Sequence, residues 1–245
     1  MVSSAVTFIE EEVVEGLRLG RHIEHDVKSA KYAIKVDLSK PLQSVLHDRK
    51  IPILDQGDLG SCTGNAGTGL LGTEPFYSTV GHTLELDEKF AVQLYSDATK
   101  VDGFDGDYPP DDTGSSGLAI GKVLKKRGDI KSYRHAFGLL HALQAFQKVP
   151  GIIGIPWLTS FDEPGPNGVI SIRPGARARG GHELEVVGLE VLNGDPNGST
   201  GDIIIANSWS PSWGDSGYCR LSFSDFGTLL KTGGDMMSFG LKGVV

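Results

Sequence analysis

Cysteine is nearly missing from this chain: Cys62 and Cys219 are the only two among 245 residues. No disulfide framework is present, so stability must come from a buried core, which this length supplies as one large domain or two closely packed lobes. Basic clusters are also scarce. The formal charge is −8, and Lys125-Lys126-Arg127, directly before Gly128, reads as the last turn of a helix. That balance argues against a nucleic-acid partner. No apolar run is long enough to cross a bilayer. Met1 to Ala5 carries no basic residue and Glu10-Glu11-Glu12 follow closely, so neither a membrane segment nor a secretory signal is expected, and a cytoplasmic location is the default.

What is there begins with Asp55-Gln56-Gly57-Asp58-Leu59-Gly60-Ser61-Cys62-Thr63-Gly64-Asn65-Ala66. One cysteine stands just behind a glycine turn, at the start of a helix-compatible stretch. Unpartnered helix amides and the aligned peptide dipoles favour thiolate over thiol there, which is expected to lower the pKa of Cys62. A nucleophilic thiolate needs an imidazole, and Gly180-Gly181-His182 supplies one at the head of a strand-like run. His182, Leu184 and Val186 share one face of that run; Glu183 and Glu185 share the other. A third group must orient the ring, and the apolar strand Asp202 to Ala206 ends in Asn207-Ser208-Trp209. Taken singly, each has a plainer reading: cysteine is among the most buried residue types, and an asparagine at a strand end is usually a turn residue. Their joint occurrence favours catalysis.

In these segments the chain resembles the papain family of cysteine peptidases. The three motifs come in that family's order, and Gly60-Ser61-Cys62 matches its glycine-serine-cysteine core. Asn207-Ser208-Trp209, then Trp213-Gly214 and Gly217-Tyr218, reproduces its asparagine block, which is the most specific match. The resemblance implies Cys62 as nucleophile, His182 as base and acid, Asn207 as orienter and Gln56 as oxyanion donor. It also implies that Trp209 shields the histidine–asparagine bond and that the backbone at Gly114 and Ser115 pairs with an extended peptide substrate. There are departures. Thr63 replaces the aromatic residue usual after the nucleophile, Leu59 replaces a disulfide cysteine, and Ser210 replaces the glycine after Trp209, which leaves that loop's shape open.

Periodicity and capping residues predict helices over 62–71, 87–98, 116–127 and 139–146, then short strands over 152–157, 169–172, 182–191, 203–206 and 218–223. Helices first and antiparallel strands second define an α+β chain, with the cleft between the two halves. The resemblance gives this layout as a papain-like two-lobed fold: a helical lobe over roughly 55–149 and a β lobe over roughly 150–245, within a catalytic domain of 36–245. Residues 1–35 show no strong apolar period and read as a surface extension that either shields the site or braces a lobe.

The expected function is a cysteine peptidase that cleaves peptide or protein substrates through a thioester, with no cofactor and no metal. Two other classes stay open: an amide hydrolase or acyl transferase acting on a non-protein amide such as a cell-wall crosslink, and a silent peptide-binding module. Other signals read as structural. Gly67 to Gly72 matches a dinucleotide-binding glycine pattern but lacks the preceding strand. The aspartates of 102–112 do not follow calcium-loop spacing and read as a solvated acidic loop; Asn197-Gly198-Ser199 reads as a plain loop; Cys219 reads as core. Substrate preference and oligomeric state are not written in the sequence.

Overall fold

The glycine turn before Cys62 runs directly into helix α1 (Cys62–Leu71), which is buried along its whole length. The computed structural model describes residues 7–8, 14–25, 37, 40–136, 138–192 and 199–241. Glycine lets α1 sit this deep. A Cβ at Gly64 would lie 2.2 Å from the carbonyl oxygen of Ala91, and one at Gly67 would lie 2.8 Å from the side chains of Ile120 and Leu94. Neighbouring helices therefore occupy the space that side chains would need, and this offsets the poor helix propensity of glycine. The other dinucleotide-like glycines are crowded too, a Cβ at Gly69 meeting Glu185 Oε2 at 2.3 Å and one at Gly72 meeting Ile51 at 2.4 Å.

Helices α2 (Phe76–Thr79), α3 (Glu88–Thr99) and α4 (Gly117–Arg127) complete the helical lobe. Asp87 caps α3 by accepting from the Phe90 amide at 2.9 Å, and Ser116 caps α4 through the Ala119 amide at 3.1 Å. Gly128, left-handed at φ 86°, stops α4. Leu70, Leu94, Leu118 and Ile120 form the centre of this lobe's core.

The sheet contains β1 (Thr7–Phe8), β2 (Val45–Leu46), β3 (Ser132–Ala136), β4 (Gly151–Leu158), β5 (Val169–Ile170), β6 (Arg177–Val191), β7 (Gly201–Ala206), β8 (Tyr218–Ser222) and β9 (Asp235–Gly240). Its order is β3-β9-β4-β6-β7-β8-β5, with β1 and β2 both on β6. Pairing is antiparallel except for β1 with β6 and β5 with β8. Strand β4 is buried on both faces: Ile152 enters the helical core, whereas Ile153, Ile155 and Trp157 enter the β-lobe core with Phe146, Val186 and Ile205. Cys219 lies in that second core.

Two boundaries differ from expectation. Helix α5 (Leu139–Phe146) packs its apolar face into the β-lobe core, and β3 pairs with β9, so both side with the strands although they precede residue 150. Strand β8 stops at Ser222 because that residue caps α6 (Phe223–Lys231), accepting from the Asp225 amide at 3.0 Å. Residues 14–25 differ more. Leu19 and Arg21 are buried between the lobes, whereas Glu15, Gly16, Ile23 and His25 stay exposed, so only part of this segment is a surface extension.

Candidate active site

Cys62 opens α1 from the helical wall of the cleft, and β6 brings His182 and Glu183 to the opposite wall. The two walls meet at the sulfur: the Glu183 backbone amide hydrogen-bonds to the Cys62 thiol. His182 Nε2 lies 2.8 Å from Asn207 Oδ1. That oxygen also accepts from the Ser208 amide at 2.8 Å, which fixes the asparagine's orientation and makes His182 Nε2 the protonated nitrogen. Nδ1 is thereby left to act as base, and no described residue bonds to it. The Trp209 ring stacks on His182 with centroids 4.6 Å apart at 21°, and Trp157 meets the imidazole edge-on at 4.9 Å.

Gln56 is anchored on three sides. Its amide nitrogen donates to the Ser208 carbonyl at 2.9 Å, its Oε1 accepts from Ser208 Oγ at 2.6 Å, and its Nε2 donates to the Leu59 carbonyl at 2.8 Å. The same Nε2 donates to the carbonyl of Arg18 at 3.1 Å. Trp209 Nε1 reaches that carbonyl too, at 3.3 Å.

Arg18 belongs to an extended segment that fills the cleft. Arg21 N donates to the Gly181 carbonyl at 3.0 Å, Ser115 N donates to the Gly20 carbonyl at 2.8 Å, and His22 N donates to the Ser115 carbonyl at 2.7 Å. The fit is close: a Cβ at Gly20 would stand 2.1 Å from the Gly60 carbonyl oxygen, and one at Gly114 would stand 2.2 Å from the Gly20 carbonyl oxygen. Gln56, Gly114, Ser115 and Trp209 thus touch one occupant of the cleft, the chain's own N-terminal strap, between the walls that carry Cys62 and His182, with Asn207 behind the imidazole.

Enclosure decides the protonation of the pair. Burial pushes the Cys62 thiol up to about 12, against smaller downward pulls from the Glu183 and Thr63 amides. Burial pulls His182 down to about 3, despite its bond to Asn207. Both groups are therefore neutral near pH 7 while the strap is seated. The expectation of a lowered thiol pKa does not hold in this state, because desolvation outweighs the helix terminus. At Ser210 the backbone is left-handed, φ 64°, as a glycine would allow, and its hydroxyl bonds within the turn to Ser212.

Sequence reasoning missed the carboxylates that brace the site. Asp112 accepts from the Gly60 amide at 3.0 Å and from the Tyr95 hydroxyl at 2.8 Å, and it pairs with Arg18 Nε at 3.7 Å. Asp102 accepts from Ser115 Oγ at 2.6 Å. The 102–112 loop therefore tethers the cleft rim instead of lying free in solvent, and among the described residues no group of three or more His, Cys, Asp or Glu is arranged to hold a metal ion. Glu183 and Glu185 are buried on the second face of β6. Asn197 and Gly198 lie outside the described residues. No helix among the described residues is long and apolar enough to cross a membrane.

This two-walled arrangement is the papain-like cysteine-protease fold. Residues 166–228 match the family model described as papain family cysteine protease. Among solved structures the chain is similar to xylellain, a cysteine protease from Xylella fastidiosa, at 18% identity and TM-score 0.53, covering 98% of this chain and 97% of that one. It is also similar to digestive procathepsin L 3 of Tenebrio molitor larval midgut, at 14% identity and TM-score 0.58, covering 91% and 84%. Bromelain from Ananas comosus, in complex with the E64 inhibitor, aligns at 16% identity and TM-score 0.53, covering 79% and 95%. No curated protein matches the sequence as a relative.

Proposed function

We propose that the protein is a cysteine peptidase in which Cys62 attacks a peptide carbonyl, and that residues 14–25 hold the enzyme in a latent form. One observation carries this reading: the side chains of Gln56 and Trp209 both donate to a peptide carbonyl, that of Arg18, within the cleft that Cys62 and His182 line. Donors so placed favour the negative oxygen that develops when a thiolate adds to a carbonyl, and such a donor is worth about 3 kcal/mol in acyl-transfer enzymes. In the proposed reaction the Cys62 proton passes to His182 Nδ1 as sulfur adds to the carbonyl carbon. The imidazolium, held through Nε2 by Asn207, then protonates the leaving amine, and water hydrolyses the thioester. The strap must leave first, because a dry cleft keeps both partners uncharged.

The test is turnover of a mixed peptide library by the full-length Gly20→Ala protein, whose strap cannot seat, beside the same protein carrying Cys62→Ala. Cleavage by the first and not by the second is expected. Cleavage by neither, from protein with a native circular-dichroism spectrum, overturns the peptidase reading.

A further inference from the structure

Next to the cleft's centre, the strap inserts a whole side chain into the protein. Arg21 is buried, and its Nη2 pairs with Asp235 at 2.8 Å while its Nη1 donates to the Gly233 carbonyl at 2.9 Å. The second carboxylate in the pocket, Glu183, stands 3.9 Å from Arg21 Nε, beyond hydrogen-bond reach. Neither Glu183 oxygen accepts a hydrogen bond from any described residue, and Arg21 Nε finds no acceptor. The pocket exists because two walls lack side chains. A Cβ at Gly154 would lie 2.3 Å from Arg21 Nε, and one at Gly117 would lie 2.4 Å from Glu183 Oε1. It opens beside Gly181, whose carbonyl takes the Arg21 amide and whose chain neighbour is His182.

A hole that deep, floored by two carboxylates and filled by one guanidinium, with His25 of the same strap 3.3 Å from Asp235 Oδ2 at its rim, has one chemical complement. Leaving a buried carboxylate without a partner is unfavourable, so an emptied pocket draws a cation and rejects an apolar or acidic group. The strap's arginine also fits imperfectly, since it hydrogen-bonds to one Asp235 oxygen and leaves Asp235 Oδ1 and both Glu183 oxygens without a hydrogen bond; a cationic side chain from another peptide donating to both carboxylates would displace it. Burial, with the charge of Asp235 adding to it, pushes the Glu183 carboxyl well above the usual carboxylate range, as fits a site short of one donor.

We infer that this pocket, floored by Glu183 and Asp235, selects substrates carrying an arginine or lysine side chain at the second or third residue on the amino side of the scissile bond, and that Arg21 occupies it as a stand-in for that side chain. The inference rests on the peptidase reading and names its substrate class. Charge-assisted, forked recognition favours arginine over lysine.

The experiment uses the full-length Gly20→Ala protein and dipeptidyl and tripeptidyl chloromethyl ketones with arginine, lysine, leucine or glutamate at the second or third residue from the electrophile. Intact-mass spectrometry follows adducts on Cys62, with iodoacetamide as a control for thiol reactivity. The expected result is faster capture of the arginine probes than the leucine probes, by about tenfold or more, with Glu183→Gln or Asp235→Asn cutting that preference by a similar factor. Equal rates for arginine and leucine probes overturn the inference and leave the peptidase reading standing. Failure of both the ketones and iodoacetamide to modify Cys62 overturns the two together. A second measurement spares the pocket's carboxylates. In otherwise unmodified protein, hydrogen exchange of the strap amides should stay slow in Arg21→Lys and become fast in Arg21→Leu, whereas equally slow exchange in both would show that the pocket has no preference for charge.

Discussion

The carbonyl oxygen of Arg18 lies 3.1 Å from Gln56 Nε2, so the strap presents a peptide bond to the donor that the proposed chemistry assigns to an oxyanion. The strap holds this place through main-chain bonds to both walls, at Ser115 and at Gly181. In the proposed latent form, the thiol is exposed only when those bonds open.

Gly20→Ala should release the strap, because its methyl would sit 2.1 Å from the Gly60 carbonyl oxygen and backbone cannot yield that distance. The expected outcome is alkylation of Cys62 by iodoacetamide at least about tenfold faster than in the unmodified chain, with Cys219, buried in the β-lobe core, still protected. Peptide mapping by mass spectrometry reads both sites, and unchanged Cys62 labelling would contradict shielding by the strap.

Asn207→Ala removes the only described acceptor for His182 Nε2 and leaves the tautomer unfixed. In the Gly20→Ala background kcat should drop about 10- to 100-fold, the usual effect of losing a group that orients a functional histidine. KM should move little, since Asn207 is separated from substrate by the imidazole. A steady-state assay with a fluorogenic peptide separates the two parameters.

His182 should not titrate between pH 5 and 8 in the unmodified chain, because burial holds it near 3. The sign for stability follows. The unfolded chain takes up the proton near pH 6.5 and the folded chain only near 3, so folding free energy falls as pH is lowered through that window, by about 1.4 kcal/mol per pH unit for one proton. Urea denaturation of the unmodified and His182→Gln chains at pH 7 and pH 5 isolates this component as the difference in slope. NMR of the imidazole C–H resonances checks the titration directly.

Asp112→Ala leaves the Gly60 amide and the Tyr95 hydroxyl without their acceptor, just ahead of Cys62. A loss of about 2 kcal/mol in stability is expected from two orphaned donors, one of them fully buried. Asp112→Asn keeps one acceptor oxygen and should recover part of that loss. Chemical denaturation ranks the three proteins.

Much of this was legible in the sequence. Helix α1 begins at Cys62 and ends at Leu71 as its glycine turn and apolar content predict, and α4 starts behind Ser116 and stops at Gly128 because both caps are written in residue type. The segments holding Cys62, His182, Asn207 and Gln56 could be read because each carries local spacing. What the sequence hid is non-local. Arg21 meets Asp235, and Asp112 meets Gly60, through distances in sequence that no period encodes. The strap has no apolar repeat because its bonds go to the backbone of other elements, so it read as surface. The expected strand over 218–223 runs one residue too far because Phe223 continues the alternation of Cys219 and Leu221, and only the Ser222 cap marks the switch to α6.

The chain's three tryptophans, Trp157, Trp209 and Trp213, gather at one point, with ring centroids 4.9 to 6.0 Å apart and His182 packed against two of them. No indole lies elsewhere to dilute the signal. Indole emission, excited at wavelengths the six tyrosines do not absorb, is therefore a label-free gauge of the cleft: departure of the N-terminal residues, arrival of a ligand, or charging of the adjacent imidazole each changes the surroundings of the same fluorophores.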